Sequence, residues 1–143
     1  MRIDILPVAE GHVAGIAALC ADLGWPSLAD AATCRRVLTA PGVVARVAVT
    51  EGAVVGFGYG MGDGLVQSYL AQLAVAAPYR RRGIAKRLVK EVFDATGTQR
   101  MDLITDDETG AAPEFYRAFA HHERPGFRIY PQYTPPWGTP PVG

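Results

Sequence analysis

Polar and apolar residues alternate through RIDIL (2–6), a two-residue period that predicts a short strand stopping at Pro7. The period then lengthens. Val13, Ile16, Ala17, Cys20 and Leu23 recur at helical spacing, and Gly24-Trp25-Pro26 closes that helix with a glycine and then a proline. Ser27 followed by Asp30 resembles a capping arrangement for a second helix through Leu38, which Ala40-Pro41-Gly42 terminates.

Two β-rich runs follow, VVARVAVT (43–50) and AVVGFGYG (53–60), joined by Glu51-Gly52 as a tight hairpin turn. GDG (62–64) makes another turn, and LVQSYLAQLAV (65–75) reads as a third long strand, so these three are expected to form an antiparallel meander. From Gly83 to Thr96 an apolar stripe of Ile84, Leu88 and Val92, with Ala85, Val89 and Phe93 beside it, predicts a helix ended by Gly97. MDLIT (101–105) follows as a strand reached by a crossover and hence parallel to its predecessor. Pro113 suits the first turn of a last helix carrying Phe115, Tyr116 and Phe119, and GFRIY (126–130) is read as a final strand. The order β-α-α-β-β-β-α-β-α-β describes an α/β fold with a mixed, mostly antiparallel central sheet flanked by helices. Residues 1–130 are expected to form one domain, and the Pro/Gly-rich stretch 131–143 an extended or disordered tail.

Composition narrows the function. With 143 residues, 49% of them hydrophobic, the chain has material for one real core. Basic and acidic side chains balance at 14 each, so no global field draws it to nucleic acid or a membrane surface. No secretory signal and no run near the ~20 apolar residues of a membrane span is evident, and a cytoplasmic location is expected. Cys20 and Cys34 lie in helical segments without histidines at ligand spacing; they read as buried small apolar groups, with a disulfide or metal site as the alternative.

Charge is nevertheless concentrated locally. Arg80, Arg81, Arg82, Lys86, Arg87 and Lys90 crowd around the start of the helix that opens at Gly83. A helix N-terminus already carries about half a positive charge, so cations are mismatched there and an anion is expected on them. The stretch LAVAAPYRRRGIAKRLV (73–89) resembles the acyl-CoA binding motif of the GCN5-related N-acetyltransferases, whose pattern Gln/Arg-x-x-Gly-x-Gly/Ala is met by Arg80, Arg81, Arg82, Gly83, Ile84 and Ala85. Gly83 and the small Ala85 let backbone approach a pyrophosphate, and free N–H groups at the helix start point at it. The resemblance implies that acetyl-CoA is the co-substrate, with no metal. It also implies that the pantetheine arm lies along Leu73-Ala74-Val75, bonded to the main chain of Leu73 and Val75, with Lys86 among the phosphate contacts. A bulge there would splay the strands and admit it. The Leu73 N–H would then face the acetyl oxygen as an oxyanion donor.

EFYRAFAHHERPGF (114–127) resembles the family's fourth-helix segment, which implies that Tyr116 is the general acid protonating the departing sulfur. The base is open: Asp106, Asp107 and Glu108 cluster after the strand 101–105, and His121 and His122 titrate in the useful range. Two positions depart from the pattern. Thr109 stands where relatives often have asparagine, and the usual Gly-Phe is displaced to Gly126-Phe127 by HHERP. The expected activity is acetyl transfer to a primary amine of an unidentified small-molecule or peptide acceptor; the alternative is a non-catalytic acyl-CoA-binding domain. Relatives are often dimers, and the sequence leaves the oligomeric state, a homodimer among the options, open. A nucleic-acid module is disfavoured because only Tyr79 is interleaved with the arginines.

Overall fold

Glu51 and Gly52 both sit at positive φ, 50° and 78°, the left-handed backbone that a two-residue hairpin turn requires. Around that turn β2 (Val43–Thr50) pairs antiparallel with β3 (Ala53–Gly62), and β3 pairs antiparallel with β4 (Gln67–Val75), giving the expected meander. The Asp63 carboxylate fixes the second turn by accepting the N–H groups of Val66 and Leu65 at 2.7 and 2.8 Å, bonds that hold its carboxyl below the usual range. β1 (Asp4–Pro7) adds antiparallel to β2, and β5 (Arg100–Asp102) adds parallel to β4, so the sheet order is β1-β2-β3-β4-β5.

This computed structural model describes residues 1–106 and 110–131. Asp107, Glu108, Thr109 and the tail from 132 onward lie outside the described residues. The chain divides into two compact units: Met1–Leu103, which holds the sheet, and Ile104–Gly143, which holds α4 (Ala111–Arg117).

Within the first unit, helices cover both faces of the sheet. On one face α1 (Val13–Asp22) and α2 (Ala31–Leu38) bury Ile16, Cys20, Cys34 and Leu38 in a cluster with Val47, Phe57 and Tyr59. Cys20 and Cys34 are free and buried, as expected; burial, with Cys34 close by, pushes the Cys20 thiol up to about 11, so it packs as a neutral apolar group. On the other face α3 (Ile84–Thr96) buries Ile84 and Leu88 against Ala48, Val55 and Val75. A row of glycines in β3 lies beneath it. A Cβ built on Gly56 would stand 3.3 Å from Leu88 Cδ1, and one on Gly60 would stand 3.3 Å from Val92 Cγ1, so their absence lets α3 approach the strand closely.

Three expectations are corrected. Asp30, not Ser27, caps α2: its carboxylate accepts the Thr33 N–H at 2.9 Å, while Ser27 belongs to a separate 3-10 turn, Pro26–Leu28. The strand expected over 101–105 spans only Arg100–Asp102, because β4 bulges just beyond their pairing and leaves the ladder. GFRIY (126–130) is not a strand: alternation needs a partner ladder, and among the described residues none pairs with it, so Phe127 and Ile129 stand exposed.

The glycine row makes a stability prediction. A Cβ at Gly58 meets only ordinary contacts of 3.4 Å or more, whereas one at Gly60 falls 2.7 Å from the Tyr69 carbonyl oxygen, a backbone atom that cannot swing aside. Gly58→Ala should therefore be neutral or stabilise by up to about 1 kcal/mol. Gly60→Ala should cost roughly 1–3 kcal/mol. Thermal melts of the two variants check the order; equal melting temperatures would contradict the packing.

Candidate functional site

β4 carries one residue more than β3 can pair. Tyr59 is opposite Gln72 and Gly60 opposite Leu70, which leaves Ala71 as the bulged residue. The extra residue reverses the alternation of the main chain. Before the bulge the Gln67 carbonyl faces the β3 side, accepting from Asp63 N–H at 3.1 Å; after it the Ala76 N–H donates to Val55 O at 2.8 Å. Even-numbered residues thus serve the ladder beyond the bulge, and Leu73 and Val75 turn their N–H and C=O groups to the opposite edge. β5 pairs only with Gln67, Ser68 and Tyr69 on that edge, so among the described residues no strand pairs with Leu73 or Val75 there. The Val75 carbonyl accordingly takes a side-chain donor, Arg80 Nε at 3.0 Å.

Beside this edge Leu73, Ala74, Val75, Arg80 and Ala85 line a cleft of about 210 Å³ together with Leu23 and Trp25. Its walls are mostly hydrocarbon. At its end the chain makes a 3-10 turn, Ala77–Tyr79, then passes through Arg81 and Gly83 at φ of 63° and 77° before α3 begins. Left-handed backbone costs a residue with a Cβ about 1–2 kcal/mol, so Arg81 is strained where Gly83 is not. Nothing lies within 4 Å of a Cβ built on Gly83: the space above it is open, and it is the positive φ that calls for glycine. The first intrahelical bond runs from Arg87 N–H to Gly83 O, which leaves the N–H groups of Ile84, Ala85 and Lys86 without a partner inside α3, and among the described residues no side chain caps them.

The cations divide their work. Arg80 is tied to Val75, the Arg82 guanidinium lies 5.6 Å from the Tyr79 ring centroid, and Arg87 Nη1 donates to Ile3 O at 3.1 Å. None of Arg80, Arg81, Arg82, Lys86, Arg87 or Lys90 forms an ion pair among the described residues. An uncompensated positive patch at a helix N-terminus with free N–H groups is a site for a phosphate-bearing anion. Ile84 can offer an anion only its main chain, because its side chain is buried in the core under α3.

Tyr116 belongs to the second unit. It lies on α4 half-buried, edge-on to Phe115 with ring centroids 5.0 Å apart, and burial pushes its phenol up to about 12. The hydroxyl therefore keeps its proton throughout the neutral range. Asp106, His121 and His122 are exposed, and His121 Nδ1 lies 2.7 Å from the Phe119 carbonyl oxygen. Leu23 and Trp25 are cleft residues that the sequence does not announce: Gly-Trp-Pro signals the end of a helix, and only the cost of leaving a tryptophan in a turn without a partner surface hints at more.

The model of the acetyltransferase (GNAT) domain matches residues 41–120, more than half of the chain. No curated protein matches it in sequence. Among solved structures it is similar to the aminoglycoside acetyltransferase AAC(6')-Iy, determined with a bisubstrate analogue, at 23% identity over 92% of this chain and 99% of that one, with a TM-score of 0.73. It is similar to a ribosomal-protein-alanine N-acetyltransferase of Brucella melitensis at 20% identity, 92% and 99% coverage and a TM-score of 0.72. An acetyltransferase of Trypanosoma brucei aligns at 19% identity, 90% and 99% coverage and a TM-score of 0.68. At these identities the likeness is one of fold. Among the described residues no helix is long and apolar enough to cross a membrane.

Two substitutions separate the parts of the cradle. Gly83→Val forces a β-branched side chain into left-handed backbone and into the open space, so the rise in melting temperature produced by coenzyme A in the unaltered protein should vanish, although the variant still unfolds cooperatively. Arg81→Ala and Arg80→Ala should each lower the salt dependence of coenzyme A affinity measured by calorimetry, since each removes one unpaired cation, and Arg80→Ala should weaken affinity further because Arg80 also braces the Val75 carbonyl. A salt dependence in both variants as steep as in the unaltered protein would assign the charge wrongly.

Proposed function

The chain belongs to the GNAT acetyltransferase family, and from that premise we propose that it passes acetyl from acetyl-CoA directly to a primary amine. The observation that carries this reading is the free edge of Leu73 and Val75 running into the N–H groups of Ile84, Ala85 and Lys86. An amide-bearing arm fits the first and a pyrophosphate fits the second. When bound, acetyl-CoA supplies an acyl group activated as a thioester. Leu73 N–H orients and polarises the acyl oxygen, and Val75 holds the arm through its main chain, its carbonyl having a second lone pair besides the one Arg80 uses. Leu23 and Trp25 keep water from the cleft wall. Tyr116 holds the proton that the departing sulfur needs, and its burial favours the protonated phenol. AAC(6')-Iy and the Brucella protein are both named as N-acetyltransferases, which supports an amino nitrogen as the acceptor atom and leaves the acceptor molecule to experiment.

The test is thiol release from acetyl-CoA across a panel holding sisomicin, an alanine-initiated peptide, a lysine peptide and a polyamine. Amine-dependent release from at least one member is expected. Binding of coenzyme A without release from any would mark an acyl-CoA-binding domain instead. Tyr116→Phe should keep the coenzyme A stabilisation and lower kcat on the order of 10²-fold, since a general acid acts in the transition state. An unchanged kcat would remove Tyr116 from the reaction. Its raised phenol also has a linkage consequence: the contribution to stability is complete below pH ~10, the unfolded value, and is lost as pH rises toward about 12. Alkaline unfolding should therefore be shallower in Tyr116→Phe.

A further inference from the structure

One buried atom on β4, one residue before the cleft-lining Leu73, is left without a bond among the described residues. Gln72 Oε1 is shielded from solvent and has no hydrogen-bond partner among the described residues. A buried amide oxygen left unpaired is costly, and native structures nearly always supply it with a donor. Its position is specific. Gln72 is the β4 residue opposite Tyr59, next to the bulged Ala71 and one residue before Leu73. Tyr59, Ala71 and Ala74 pack into the cluster beneath α1 and α2, whereas Leu73 packs into the one beneath α3, so the Gln72 side chain leaves the strand on the α1–α2 face. That face also carries Trp25, which lines the cleft. Gln72 thus immediately precedes the residue whose N–H is read as facing the acyl group, on the face that carries Tyr59 and Trp25.

We propose that Gln72 Oε1 accepts a hydrogen bond from an N–H of the attacking amine, so that residue 72 helps select and orient the acceptor. The proposal rests on the N-acetyltransferase reading above. A neutral amine has N–H donors and one lone pair; an acceptor-only oxygen engages a donor and leaves the lone pair free to meet the acyl carbon. As the new C–N bond forms, the nitrogen becomes more positive and its N–H a stronger donor, so the interaction grows toward the transition state. A carboxamide does not take up the proton at neutral pH. Gln72 therefore orients the amine, and the base is another group or solvent.

Two non-reactive probes test this without knowledge of the acceptor: coenzyme A alkylated on sulfur with CH₂–C(O)–NH–propyl, and its ester counterpart with CH₂–C(O)–O–propyl. Only the first presents an N–H beyond the acyl carbon. Calorimetry should show the unaltered protein binding the amide on the order of tenfold more tightly than the ester, the size of one hydrogen bond to a group otherwise left unpaired. Gln72→Met should abolish that preference, and Gln72→Glu, which keeps an acceptor oxygen, should retain it. Unchanged affinity of both variants for coenzyme A itself verifies that the cradle is intact. Equal affinities of the unaltered protein for the two probes, or a preference that survives Gln72→Met, overturns the proposal. If coenzyme A itself fails to bind the unaltered protein, the acetyltransferase reading falls, and this inference with it.

Discussion

A single surplus residue, Ala71, governs the site. A β-strand offers its main chain alternately to its two neighbours, and inserting one residue on one side of a pair exchanges the roles of all that follow. Without the bulge, Leu73 and Val75 would spend their N–H and C=O groups on β3. With it, they face an edge that β5 leaves after three residue pairs, and the last of those carbonyls is free to be met by Arg80. The same bulge sends Gln72 to the α1–α2 face next to Tyr59. The edge left to Leu73 and Val75 and the placement of Gln72 both follow from one local irregularity.

The rest of the first unit fixes the place where that edge ends. The glycines of β3 let α3 settle close to the sheet, and Ile84 and Leu88 anchor its first turns in the core. The helix start therefore cannot drift from the end of β4. Gly83, in left-handed backbone, turns the chain so that the first N–H groups of α3 point outward from a buried anchor. Preorganisation of this kind means that an anion meets donors already aligned, with little ordering left to do on binding.

Much of this was legible in the residues. The 3.6-residue stripe of Ile84, Leu88 and Val92 between Gly83 and Gly97 defined α3 to its boundaries, and Glu51-Gly52 named its turn, because each depends on local chemistry alone. A motif singled out Leu73, Val75 and the arginine stretch, which the structure brings to the edge left by β5 and to the start of α3. The bulge was expected only in general terms, since which residue is surplus depends on the register with β3. The individual arginines were not separable in sequence: Arg80, Arg82 and Arg87 look alike until a carbonyl, an aromatic ring and a distant strand claim them. Trp25 and Gln72 were missed for the same reason, their importance lying in neighbours distant along the chain. GFRIY failed in the opposite sense: its alternation is real, but it has no ladder to join among the described residues.

The central claim is that the bulge leaves the main chain of Leu73 and Val75 available to a ligand. Amide hydrogen exchange resolved at these two residues, with and without coenzyme A, tests it most directly. The account predicts faster exchange at Leu73 and Val75 than at Ala74 in the free protein, and marked protection of the Val75 amide when coenzyme A is added. Exchange at both residues as slow as at Ala74 and unmoved by coenzyme A would contradict it.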